Sequence, residues 1–254
     1  SKTRKGYMWC VRDASGSGVF FHYDMGSRGT QVAMSLLKDY QGAIQSDGYD
    51  VYSKFTGMEG KTMLGCWAHA RRKFVDAMKE NERLASEALV YIGDLYHIET
   101  LTAEMTNEER KKKRREMAYP QIIKFEEWMQ MKYFDPSMGP LMRTAIEYTF
   151  KRLPKLSMYV NDGSWHIDNN GVENAIRPLA VGRKSYLFCG SDASAVRASM
   201  IYSFIATCKA AGIEPREWFE DVIRRIPEYE NGKADVTSLL PKNWKASSKD
   251  FNQR

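Results

Sequence analysis

The chain has 254 residues, 43% of them apolar and 28% charged, which is enough apolar material for a sizeable core and too much for an intrinsically disordered chain. Lys and Arg number 38 against 32 Asp and Glu, and the formal charge of +6 favours an anionic partner such as nucleic acid. The cysteines, Cys10, Cys66, Cys189 and Cys208, form no C-x-x-C pair, which argues against a zinc knuckle, a redox dithiol or a disulfide scaffold and for a reducing compartment.

No apolar run approaches the ~18 to 20 residues that span a bilayer, so no membrane partner is expected, and Ser1 to Lys5 lacks the apolar stretch of a signal peptide. Residues 7 to 13 and 18 to 24 are rich in aromatic and β-branched side chains and flank Ala14-Ser15-Gly16-Ser17, a hairpin pattern. Val32, Leu36, Leu37 and Tyr40 then fall at helical spacing over 31 to 40. A short strand over Gly42 to Ser46 ends at Asp47-Gly48-Tyr49, and after a helical stretch a further strand is predicted over Lys61 to Trp67. Strand alternating with helix implies one mixed sheet with helices against it.

From 69 to 153 no strand pattern occurs. Leu84, Ala88, Leu89, Ile92, Leu95 and Tyr96 mark one helix face, and Thr106-Asn107-Glu108-Glu109 has the form of a capping box opening a helix near 107 that should stop before Pro120. Helices near 120 to 132 and 140 to 152 complete this segment. Asp168 to Glu173 then opens a helix that Pro178 should limit, and Ser185 to Cys189 reads as a short strand. A long helix over 192 to 211 closes at Gly212, and a last one covers 215 to 226. In the tail, Leu239-Leu240-Pro241 and Trp244 are expected to dock, while 246 to 254 frays. The resulting division is 1–68 as the first part of a core, 69–153 as a helical insertion, 154–212 as the completion of the core, and 213–254 as a C-terminal helix and tail.

Asp47 lies where a strand hands over to a loop, a common place for ligand-binding groups in open sheets, and equally in an Asp-Gly turn pair. Glu173 reads either as a catalytic carboxylate or as the partner of Asn170 in a capping box. His69, Arg71, Arg72 and Lys73, and Arg177, Arg183 and Lys184, place positive charge near both carboxylates in sequence, as phosphate contacts or as solvated helix faces. The run Arg110 to Arg115 reads as a solvated helix, because Glu108 and Glu109 stand four residues before Lys112 and Lys113. His69 and His166 read first as structural histidines, and the Met and Trp residues as core or interface.

Five segments together resemble one family: Gln45 to Tyr49, Gly65 to Phe74, Asp168 to Pro178, Gly182 to Ser191, and the Leu-Leu-Pro-x-x-Trp tail at 239 to 244. In order and spacing they resemble the transposases of bacterial insertion sequence 66 elements, of the DDE type, over almost the whole chain. The resemblance implies an α/β fold: a ribonuclease-H-like mixed sheet flanked by helices, with a helical insertion and a helical C-terminal part. It implies three carboxylates holding two divalent ions, Mg2+ or Mn2+, with Asp47 as the second carboxylate and Glu173 as the third. Two such ions roughly 3.5 to 4 Å apart activate the attacking oxygen and stabilise the leaving 3′ oxygen of a phosphoryl displacement. The partners implied are transposon-end and target DNA, further copies of the chain, and other element-encoded proteins, in a bacterial cytoplasm at the nucleoid.

In that family the first Asp lies on the first core strand, in an Asp-Glu-Thr segment upstream of the Tyr7-Met8-Trp9 strand. The chain begins just before Tyr7, so the expectation is a piece of a longer transposase without that strand, the first carboxylate, or the upstream zinc-binding and DNA-end-binding parts. Asp13 and Asp24 end later strands and do not occupy the expected place. Strand transfer by this chain alone is expected to be weak or absent. The competing readings are a non-catalytic DNA-binding or assembly remnant of the same fold, and a nuclease of the ribonuclease-H-like class.

Overall fold

The two aromatic-rich stretches pair as an antiparallel hairpin of β1 (Tyr7–Arg12) and β2 (Val19–Asp24), in the register Tyr7 opposite Asp24 and Arg12 opposite Val19. The computed structural model describes residues 4–186, 188–229 and 235–245. They fall into two compact units, one made of residues up to 28 and from 171 onward, the other of 29–170.

In the first unit the far edge of β2 pairs with a helix instead of a strand. Ser203 and Thr207 stand one turn apart on α8 (Asp192–Ala210), where the Thr207 hydroxyl accepts from Val19 N–H at 3.0 Å and donates to Val19 C=O at 3.1 Å, and the Ser203 hydroxyl accepts from Phe21 N–H at 2.8 Å. An edge strand otherwise exposes unpaired backbone groups, and here two side chains satisfy them. The helix closes as the sequence predicts: Gly212 takes a φ of +70°, its N–H reaches Lys209 C=O at 3.2 Å, and Ile213 N–H reaches Cys208 C=O at 2.8 Å. Against α8 lies α9 (Pro215–Tyr229), with Trp218 stacked on Phe204 at a centroid distance of 4.9 Å. The tail docks as expected, since Trp218 Nε1 donates to Leu239 C=O at 2.9 Å and Trp244 Nε1 to the Asp221 carboxylate at 2.7 Å. Residues 246 to 254 lie outside the described residues.

The helix that carries Glu173, α7 (Asn170–Tyr186), runs through Pro178 and does not stop there. A proline leaves the carbonyl four residues back without its donor; that residue, Asn174, is exposed, so water can satisfy it. The short strand expected over Ser185 to Cys189 is absent: Ser185 and Tyr186 finish α7, Phe188 and Cys189 are irregular, and Leu187 lies outside the described residues.

The second unit opens with α1 (Thr30–Leu37), whose last carbonyls are capped by the Lys61 ammonium, bonded to Leu37, Lys38 and Tyr40 C=O. Strands β3 (Gly42–Gln45) and β4 (Lys61–Leu64) pair in parallel, joined through a 3-10 turn at Asp50–Phe55. The predicted strand to Trp67 stops at Leu64, because Gly65 N–H turns to Lys155 C=O at 2.8 Å and Trp67 N–H to Ile167 C=O at 3.1 Å. The one mixed sheet expected from the alternation is instead two separate two-stranded sheets. Hydroxyls of α8 take the free edge of β2, and Lys155 C=O from α6 (Pro140–Leu156) takes the N–H just beyond β4 and ends that strand.

Four helices supply most of the core of this unit, α2 (Trp67–Ala77), α3 (Glu82–Leu101), α5 (Tyr119–Lys132) and α6, whereas α4 (Asn107–Lys113) has no buried residue. The predicted α3 face is the buried one, with Leu84, Ala88, Ile92 and Leu95 fully enclosed. Phe125 sits at the centre, with ring centroids of Tyr91, Phe74, Trp128 and Trp67 5.3 to 6.3 Å away. Full burial of such a ring stabilises by about 1.5–3 kcal/mol. The capping box is present, Glu109 Oε2 accepting from Thr106 N–H at 3.0 Å while Thr106 Oγ1 accepts from Glu109 N–H at 3.4 Å. The helix does not stop before Pro120. A π-helical turn over Arg114–Ala118 bonds Tyr119 N–H to Arg114 C=O, and the shifted ladder lets Pro120 enter the first turn of α5.

The basic run at 110–115 is not the solvated helix its charge pattern suggests. Arg110 and Arg114 share a face and turn inward. Arg110 donates to the Thr102, Ala103 and Gly163 carbonyls, closing the end of α3. Arg114, 1% exposed, pairs bidentately with Glu99 at 2.9 and 2.5 Å and donates to Tyr159 and Asp162 C=O. Removing one member of a buried pair strands the other, so Arg114→Ala should lower the unfolding free energy by about 3–5 kcal/mol. The exposed Lys112→Ala should change it by less than about 0.5 kcal/mol. Urea denaturation of both variants measures the contrast.

Candidate functional site

Asp47 stands two residues after the end of β3, beyond the buried Ser46, and is exposed. Its Oδ1 accepts from Tyr49 N–H at 2.9 Å, the short turn that Asp-Gly pairs form, and among the described residues Oδ2 accepts no hydrogen bond. The turn and ligand readings are therefore compatible: one oxygen shapes the loop and the other stays available. The backbone of this loop is held by α6. Tyr148 O–H donates to Asp47 C=O at 3.1 Å, and Arg152 Nη2 donates to Gly48 C=O at 3.2 Å. The Arg152 guanidinium lies 3.9 Å from the Tyr148 ring centroid and the Lys73 ammonium 5.7 Å from it. Burial pushes the Tyr148 phenol above its usual range, with Arg152 opposing, so the hydroxyl remains a donor at neutral pH. Gly48 adopts a φ of +84°, and a Cβ there would stand 2.6 Å from Arg152 Nε.

Of the predicted basic residues in this unit, Arg71, Arg72 and Lys73 are exposed on α2. Arg71 and Arg72 line an open cleft of about 380 Å3 together with Ala68, Val75, Tyr96 and Asn170. His69 is half-buried, with Nδ1 3.1 Å from Cys66 Sγ, so one ring nitrogen is engaged within the protein. Burial raises the Cys66 thiol above its ordinary value, which keeps it protonated.

Both carboxylate oxygens of Asp168 are engaged. Its Oδ2 accepts from Tyr96 O–H and Asn170 Nδ2, each at 2.8 Å, and its Oδ1 from Asn170 N–H at 3.0 Å. Burial and the neighbouring Asp168 charge push the Tyr96 phenol far above its usual range, which fixes it as a donor. Asn169 Oδ1 is buried with no hydrogen-bond partner. In the other unit, Glu173 is half-buried in the first turns of α7, and Arg177, Arg183 and Lys184 are exposed on the same helix. By helical periodicity Glu173, Arg177 and Lys184 share one face. Asp13 is a turn residue: burial raises its carboxyl, but hydrogen bonds from Ser17 and Ser15 outweigh this and hold it below the usual range. Asp24 Oδ1 likewise accepts from Gly26 and Ser27 N–H.

A magnesium ion prefers hard oxygen donors and is commonly held by one or two carboxylates, with water and substrate phosphates completing its shell. Asp47, with an exposed carboxylate oxygen open beside a fixed turn, fits as one such donor. Among the described residues no group of three or more His, Cys, Asp or Glu side chains gathers to form a full protein shell.

The sequence reading missed Tyr148 and Arg152 as neighbours of the Asp47 loop. Their signal was an aromatic and a cation four residues apart, hence on one face of a helix read only as part of an insertion.

The chain matches the profile described as "Transposase IS66 family" over residues 1–197 and that of the "IS66 C-terminal element" over 203–241. It is similar to three uncharacterized proteins of Sinorhizobium fredii. With y4qI it is 28% identical over 96% of this chain and 48% of the relative. With y4jD it is 30% identical over 87% of this chain and 44% of the relative, and with y4hP 30% over 89% and 44%. The chain thus spans about half the length of the curated relatives it matches. No solved structure matches it.

Gly48→Ala meets both a left-handed backbone and the Arg152 side chain, and should destabilise the protein by about 1–3 kcal/mol. Adding Arg152→Ala removes the contact but not the backbone strain, so the double variant should regain only part of the loss relative to Arg152→Ala alone. Thermal and urea unfolding of the four proteins measure this.

Proposed function

The chain belongs to the IS66 transposase family, and from that premise we propose that it forms part of a DNA transposase that cuts transposon ends and joins them to target DNA in a metal-dependent reaction. The observation that carries the reading is the family match along nearly the entire chain. In this reading the core is ribonuclease-H-like, and the segment 69–153 is an insertion into it. When bound, the divalent ions supply the polarisation that activates the attacking oxygen and stabilises the leaving one. Asp47 and Glu173 act as metal-holding carboxylates. Asp47 is supported by its place at the C-terminal end of a parallel strand with an oxygen open, and Glu173 by its motif alone.

Arg71, Arg72 and Lys73 on α2, with His69 beside them, and Arg177, Arg183 and Lys184 on α7, contact DNA phosphates in this reading. Their exposure supports it, as does the lack of an ion pair to Arg71 among the described residues. Among the described residues no helix is long and apolar enough to cross a membrane. Self-association and other element-encoded proteins complete the proposed set of partners.

A second reading, a DNA-binding or assembly module without cleavage, is favoured by the lack of a three-ligand acidic cluster among the described residues. A nicking and strand-transfer assay with magnesium on an element-end duplex, using the complete protein, separates the two. Cleavage followed by joining of the free 3′ end to target DNA establishes the transposase, and cleavage without joining indicates a nuclease.

Asp47→Asn and Glu173→Gln should each abolish magnesium-dependent cleavage while circular dichroism stays unchanged. Retained cleavage in either variant removes that residue from the reaction. Arg71→Ala, Arg72→Ala, Arg183→Ala and Lys184→Ala should each weaken duplex binding. Each should also reduce the slope of log affinity against log salt by about one where a phosphate contact is lost. Fluorescence anisotropy across a salt series, with EDTA present, reads this out independently of cleavage.

A further inference from the structure

We propose that Tyr148 and Arg152 are positioning residues for Asp47, so that α6 of the helical insertion sets the geometry of the metal-holding loop. The inference rests on the reading of Asp47 as a metal ligand.

The loop after β3 has little of its own to fix it. The Asp47 carboxylate makes one local bond, to Tyr49 N–H at 2.9 Å, and Gly48 sits in a left-handed conformation open to a residue without a Cβ. Two successive carbonyls, those of Asp47 and Gly48, are instead captured by side chains one turn apart on α6, at 3.1 and 3.2 Å. Holding both carbonyls fixes the two peptide planes that flank the Gly48 Cα, those of Asp47–Gly48 and Gly48–Tyr49. With Oδ1 tied to Tyr49, the direction of the open Oδ2 then follows from the backbone. The donors are themselves fixed, because Arg152 lies against the Tyr148 ring at 3.9 Å, Lys73 approaches that ring from α2 at 5.7 Å, and α6 is anchored by the enclosed side chains of Met142, Ala145, Ile146 and Thr149. Ligands held by a supporting set of hydrogen bonds bind metal more tightly than the same ligands left free to rotate.

The charges make the two residues experimentally separable. Arg152 brings a positive charge near a carboxylate meant for a cation, so its removal has opposing effects: it frees the loop and relieves repulsion. Tyr148→Phe removes one hydroxyl and no charge, and isolates the positioning effect.

The test is a Mn2+ titration of the 15N-labelled chain, following paramagnetic broadening of the Gly48 and Tyr49 amide signals, with thermal midpoints recorded alongside. In the unaltered chain these signals should broaden first, and in Asp47→Asn they should not. In Tyr148→Phe the midpoint should move to roughly three- to tenfold higher Mn2+, the size of one lost hydrogen bond, and the Tyr49 amide should exchange faster with solvent. An unchanged Mn2+ midpoint or an unchanged Tyr49 exchange rate in Tyr148→Phe overturns the positioning role while leaving Asp47 as a ligand. Broadening that persists in Asp47→Asn, or is missing at Gly48 and Tyr49 in the unaltered chain, overturns the metal reading itself and the inference with it.

Discussion

The packing of α6 against α2 is the constraint on which the second unit depends. Trp67, fully enclosed at the start of α2, donates its indole N–H to Leu156 C=O at 3.0 Å, in the last turn of α6. That bond satisfies a buried donor, and a buried donor left unpaired costs about 1–3 kcal/mol. It also fixes the helix along its axis. Once α6 is fixed there, Lys155 C=O meets Gly65 N–H and ends β4, while Tyr148 and Arg152, two and one turns earlier, reach the Asp47 loop. Strand end, helix start and candidate ligand loop are thus set by one helix whose sequence alone reads as part of an inserted bundle.

The parts legible in the sequence are those in which local chemistry and tertiary packing agree. The hairpin, the capping box at Thr106 and the apolar face of α3 each follow a short-range rule that the folded chain keeps. One misreading is local, and the other two share a cause, a local rule outweighed by a partner distant in sequence. Pro120 should end a helix, but a π turn shifts the ladder around it. Six consecutive basic residues should be solvated, but Glu99 and five carbonyls contributed by residues 102, 103, 159, 162 and 163 lie where Arg110 and Arg114 can reach them. One sheet was expected because strands and helices alternate, and alternation says nothing about hydroxyls on a helix that occupy a strand's edge.

The basic character of the chain also divides into distinct roles. Lys61 caps α1, Arg110 closes α3, and Arg114 neutralises a largely buried glutamate. These cations hold the fold and are not available to a polyanion. Net charge therefore overstates the exposed positive surface, to which the groups on α2 and α7 contribute directly. A charge run marks a binding face only after its internal acceptors have been counted.

The same accounting applies to the carboxylates, and it separates residues that the sequence treats alike. Asp13, Asp47 and Asp168 all stand at the ends of strands or the starts of helices in turn-forming company. Asp13 is occupied by the serines of its own hairpin and Asp168 by a tyrosine and an asparagine, so for either to take a cation would require existing bonds to break. Asp47 needs no such exchange, because its one internal bond leaves an oxygen facing solvent and its backbone is held from behind. A ligand of this kind combines low desolvation cost with low loss of freedom on binding, and those two terms decide whether a carboxylate on a loop can compete with water for a strongly hydrated ion.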